Sequence, residues 1–67
     1  MATLTPRETE VLARTSRGGT NAQIADELGI TVHAVKFHLG SIFRKLEVQN
    51  RTEAAAVYLE TMAEPST

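Results

Sequence analysis

A chain of 67 residues has room for one small domain and none for a deep cleft around a large substrate. Hydrophobic residues at 42% and charged residues at 22% exclude wholesale disorder, and the absence of cysteine excludes disulfides and thiolate metal sites. The net charge of −1 is low for a nucleic-acid binder taken as a total, the apolar runs are too short for a membrane span, and no signal-peptide pattern opens the chain, so a cytoplasmic location is expected.

The first element starts at Thr5-Pro6-Arg7-Glu8. Thr5 is placed as N-cap, Pro6 takes the first helical position where its missing N–H costs nothing, and Glu8 completes a capping box. Val11 and Leu12 supply the buried stripe and Leu4 a staple before the cap. The helix is expected over about 6–16, ended by Gly18-Gly19 in the left-handed conformation. Thr20 or Asn21 caps a second helix, about 21–28, with Gln23 answering Thr20 and with Ile24, Ala25 and Leu28 inward. Gly29 ends it, Ile30 plugs the corner and Thr31 caps the next helix, an arrangement that spells helix-turn-helix.

The third helix, about 32–46, buries Val35, Leu39, Ile42 and Leu46 when laid out at about 100° per residue, with Phe43 at the edge. His33, Phe37, Gly40 and Arg44 gather opposite, with Lys36 on the flank. An exposed ring beside bases and a missing side chain is not what a merely solvated face needs, and it reads as a DNA-contacting surface. Charge agrees with this placement. Met1 to Ile30 carries three arginines against four acids, Thr31 to Arg51 has a net +3, and Thr52 to Thr67 has a net −3.

Val48 is expected to tuck into the core after the third helix. Asn50 and Glu53 form a third capping pair opening a fourth helix, about 51–62, before a tail at 63–67. Ala54, Val57, Tyr58 and Thr61 make its core-closing face. Ala55, Leu59 and Met62 form a further apolar strip, which points to a homodimer reading two half-sites. The expectation is an all-α domain of four helices spanning 1–67, containing a helix-turn-helix and no wing.

Four blocks in register, LTPRETEVL (Leu4 to Leu12), TNAQIADELGI (Thr20 to Ile30), VKFHLGSIFRKL (Val35 to Leu46) and NRTEA (Asn50 to Ala54), resemble the LuxR-type helix-turn-helix domain of bacterial response and quorum-sensing regulators. The resemblance covers about residues 4–62. It implies a third helix in the major groove and a fourth that dimerises. Mapped by position, it implies base contacts from Lys36, Phe37 and Gly40, with His33 on the same face. It implies phosphate contacts from Thr20, Asn21, Thr31, His33, His38, Arg44 and Lys45. Its early acid falls on Glu10, a candidate ion-pair partner for Arg51 or another base. The chain departs from the usual pattern at Ala22 (often lysine), Val32 (often acidic), Ala34 (often threonine), Gly40 (often polar) and Glu47 (usually glycine).

In this reading Lys36 donates to guanine O6 or N7, Phe37 meets a thymine methyl, and Arg44, Lys45 and Thr31 meet phosphates. His33 and His38 stand about 140° apart around the helix, which argues against a shared metal ion. No cofactor is expected. An enzyme is not expected either, because no nucleophile, base and orienting acid converge and Gly18-Gly19 lacks a P-loop lysine. The nearest nucleic-acid rival is the promoter-reading domain of sigma factors, with a similar LTPRE start. The alternative from another class is a helical module that binds RNA polymerase or a regulator and no DNA.

Overall fold

The computed structural model describes the backbone of residues 3–63 and the side chains of residues 3–61. Four helices follow one another, α1 (Pro6–Ser16), α2 (Asn21–Leu28), α3 (Val32–Leu46) and α4 (Arg51–Ala63), with no strand among the described residues. Met1, Ala2 and the tail 64–67 lie outside the described residues.

Each helix start is made by local hydrogen bonds. Thr5 Oγ1 accepts from the Glu8 N–H at 3.1 Å while Glu8 Oε1 accepts from the Thr5 N–H at 2.8 Å. Thr20 and Gln23 repeat the exchange at α2, and Thr31 Oγ1 accepts from the Ala34 N–H at α3. Such caps satisfy N–H groups that the helix itself cannot. At α4, Asn50 Oδ1 accepts from the Glu53 N–H, but the Glu53 carboxylate returns to the Gln49 N–H at 2.7 Å rather than to Asn50. The expected third box is therefore opened by one residue.

Gly29 ends α2 at φ 67° and ψ 34°, a left-handed conformation that L side chains rarely adopt. It turns the chain directly into α3. Glu47 takes the same conformation after α3, at φ 58° and ψ 44°, without being glycine. A side chain there costs about 1 kcal/mol, and an acid at the negative end of a helix adds to the cost. Glu47→Gly is expected to raise the unfolding free energy by about 1 kcal/mol in urea denaturation; an unchanged midpoint would count against the strain.

The core gathers Val11 and Leu12 from α1, Ile24 and Ala25 from α2, Val35, Leu39 and Ile42 from α3, and Ala54 from α4. Leu4, Leu28, Ile30, Phe43, Leu46, Val48 and Tyr58 pack around it. The fourth helix lies chiefly against α1. Thr61, expected to help close the core, is exposed, and its hydroxyl donates to the Val57 carbonyl at 3.0 Å. The apolar stripe of α4 has run out by that turn. No described helix is long and apolar enough to cross a membrane.

Candidate nucleic-acid interface

Burial on one side of α3 decides what the other side offers. Val35 and Ile42 are fully buried and Leu39 nearly so, which fixes the rotation of the helix about its axis. His33, Lys36, Phe37 and Arg44 are consequently exposed, with Gly40 between them. Phe37 is 68% exposed, the most exposed of the large hydrophobics among the described residues. An aromatic residue left in water at a site where the core is already filled is a feature of contact surfaces. The ring does not float freely, because the half-buried His38 ring meets it edge-on with centroids 5.8 Å apart.

Thr20, Asn21 and Thr31, which the resemblance assigns to phosphate, stand at the starts of α2 and α3. Thr20 and Thr31 open α2 and α3 with their oxygens already accepting backbone N–H groups, so each hydroxyl keeps its own hydrogen to donate. Asn21 is held by Arg51, whose Nη1 donates to Asn21 Oδ1 at 2.6 Å while Nη2 donates to the Gly19 carbonyl at 2.8 Å. The guanidinium thus ties the first residue of α4 to the turn before α2. That leaves the Asn21 amide hydrogens available to donate. Glu10, expected as a partner for Arg51 or another base, pairs with Arg7 at 3.7 Å and not with Arg51, in an exposed pair worth little. Among the described residues Lys36 and Arg44 are in no ion pair, so their charge faces outward uncompensated.

Lys45 is engaged within the fold. Its Nζ donates to Glu8 Oε1 at 2.7 Å, and Ser41 Oγ donates to Glu8 Oε2 at 2.6 Å. The Glu8 carboxylate is 5% exposed and joins the start of α1 to the second half of α3. Burial on its own raises the pKa of such an acid; hydrogen bonds from Lys45, Ser41 and the Thr5 N–H, with the Lys45 charge, outweigh it and bring the value from 4.5 to about 2. Sequence reading took Glu8 for a cap alone. The overlooked signal was its place one turn before Val11 and Leu12, on the stripe that goes inward. A further tie, Arg14 Nε to Glu27 Oε1 at 2.9 Å, links α1 to α2.

On α4, Ala55 is half-buried and Leu59 is 55% exposed. Together with Ala56 and Thr52 they edge a shallow hollow that runs to Thr15 and Gly18 on α1 and its exit. The side chain of Met62, the third residue of the expected strip, lies outside the described residues. No group of three acids or histidines that could hold a metal ion occurs among the described residues.

The family of bacterial regulatory proteins of the luxR type matches residues 2–58. The chain is 44% identical over 59 residues to the probable transcriptional regulatory protein SgaR of Hyphomicrobium methylovorum, covering 88% of this chain and 28% of that protein. Over 52 residues it is 48% identical to the transcriptional regulatory protein LiaR of Bacillus subtilis, covering 78% and 25%. It thus spans about a quarter of the length of these relatives. In the crystal structure of the anti-activator RapF complexed with the response regulator ComA DNA-binding domain, one chain superposes with a TM-score of 0.80 at 44% identity, over 82% of this chain and 95% of that one.

Proposed function

The chain belongs to the luxR family of bacterial regulatory proteins, and from that premise we propose that it binds double-stranded DNA sequence-specifically, with α3 in the major groove, as the DNA-binding domain of a cytoplasmic transcription regulator. The observation that carries the proposal is Phe37, 68% exposed beside unpaired Lys36 on a helix whose opposite face is locked into the core. Lys36 donates to guanine O6 or N7, Phe37 covers a thymine methyl, and His33 and Gly40 complete the base-facing surface. Arg44, Thr20, Asn21, Thr31 and His38 hold phosphates, which set register without reading sequence. Lys45 has two ammonium hydrogens beyond the one given to Glu8, and these serve a phosphate at the rim.

Two copies paired through Ala55, Leu59 and Met62 of α4 place two recognition helices on two half-sites. The exposed Leu59 supports this pairing. A second reading, a module that binds a regulatory protein, is favoured by one observation: the related ComA domain was crystallised with an anti-activator. Titrating a palindromic duplex and a random duplex at about 50 and 200 mM salt separates the two readings. Preference for one sequence with a steep salt dependence supports DNA recognition, and indifference to both duplexes contradicts it.

Two substitutions divide the roles within the interface. Lys36→Ala is expected to cost about 1–3 kcal/mol on the preferred sequence and to relax one base pair. Arg44→Ala is expected to weaken all sequences alike and to lower the slope of log affinity against log salt by about 1. Equal effects of both on both duplexes would refute the division.

A further inference from the structure

Three of the four glycines have reasons inside the fold. Gly18 and Gly29 have positive φ, and a Cβ at Gly19 would come within 3.0 Å of the Arg14 carbonyl oxygen. The fourth, Gly40, has none. It sits in the middle of α3 with ordinary helical backbone, and a Cβ added there meets only the Arg44 Nη1, at 3.7 Å, which is ordinary van der Waals contact. Glycine inside a helix is unfavourable relative to alanine, so the domain gives up stability at this position without gaining packing. The residue lies one turn after exposed Phe37 and one turn before Arg44, on the outward face. The missing side chain leaves bare backbone on this face between the positions of Phe37 and Arg44, with the Arg44 Nη1 3.7 Å from where a Cβ would stand.

We propose that Gly40 is a specificity-determining residue whose notch admits the C5-methyl group of a thymine between Phe37 and Arg44. This rests on the proposed DNA reading. Among the major-groove features of base pairs the thymine methyl is the apolar one, and it suits a position that itself brings neither donor nor acceptor, with the Arg44 guanidinium drawn to phosphate. Glycine allows α3 to approach the base edge at backbone distance, where any Cβ would occupy the space of the methyl. The fold tolerates alanine here and the complex does not, so stability and binding respond to the same substitution with opposite signs.

The test compares wild type with Gly40→Ala, using a duplex that the wild-type domain selects from a random pool. The melting temperature of Gly40→Ala is expected to rise by roughly 4 °C. Its affinity for the selected duplex is expected to fall about tenfold, with binding to a random duplex changed less than about twofold. Replacing thymines by uracil one at a time locates the methyl: at that position wild type loses affinity and Gly40→Ala does not. Wild-type sequence preference with equal affinity of Gly40→Ala overturns the notch alone. A lower melting temperature shows that the fold itself needs the glycine and also overturns it. A wild-type domain with no duplex preference overturns the DNA reading and the notch together.

Discussion

Ile24→Ala is expected to remove about 3 kcal/mol of unfolding free energy. The side chain has no solvent exposure, and α2 contributes only one other buried residue, the small Ala25. The rest of the anchorage of this short helix is Leu28 at the edge of the core, the Thr20 cap, the Arg14–Glu27 pair and the Arg51 bond to Asn21. Removing three carbons leaves a cavity that the surrounding helices cannot fill without moving the turn at Gly29, and so the start of α3. A domain this small holds roughly 5 kcal/mol in total, which makes the loss the greater part of its stability. Urea denaturation followed by helix circular dichroism checks it. The midpoint should fall by more than half with the slope unchanged, and a shift worth under about 1 kcal/mol would mean that α2 is not held by this contact.

Glu8→Ala is expected to cost about 2–3 kcal/mol at neutral pH, through the loss of charge-assisted bonds to Lys45 and Ser41 and of the return bond to Thr5. Lys45 is 32% exposed and regains water when the acid is gone, which keeps the cost below that of breaking a wholly buried pair. The loss depends on pH. The folded carboxyl has its pKa depressed from 4.5 to about 2, so its stabilisation is complete above about pH 4.5 and disappears as pH falls through 2. Denaturation curves of wild type and Glu8→Ala should therefore converge between pH 4.5 and 2. A difference that stays constant across this range would assign the effect to packing. Glu8→Gln keeps the shape and the acceptor for Thr5, and isolates the charge.

What was legible in the sequence is what local chemistry decides. A cap is settled within four residues, and so the boxes at Thr5 and Thr20 and the turn at Gly29 stand where the residue types put them. The phase of α3 was legible because its buried positions are strictly periodic, and Phe37 accordingly faces outward. Partners far apart in the chain were not legible. Glu8 finds Ser41 and Lys45 across 33 and 37 residues, and Arg51 finds Asn21 across 30, because the helices bring them together and no spacing records it. Glu10 pairs with Arg7 on its own helix, another base and not Arg51. At Glu53 the side chain is long enough to reach one residue past the cap.

Glu8 and Arg51 work behind the proposed contact face, one holding the second half of α3 to α1 and the other bracing the start of α2 against α4. Lys36, Phe37 and Arg44 are then left to ligand contact, and their substitution should leave stability nearly unchanged. Binding and folding are separable at those positions, whereas Thr20, Asn21, Thr31 and Lys45 serve the fold as well as the proposed phosphate contacts.

The central claim is that α3 reads base sequence through Lys36 and Phe37. It is tested most directly by selecting bound duplexes from a random pool with the wild-type domain and with Lys36→Ala. The account predicts a wild-type motif of two related half-sites and, for the variant, the same motif with preference relaxed at one base pair in each half. A motif unchanged by Lys36→Ala, or no motif at all, would contradict it.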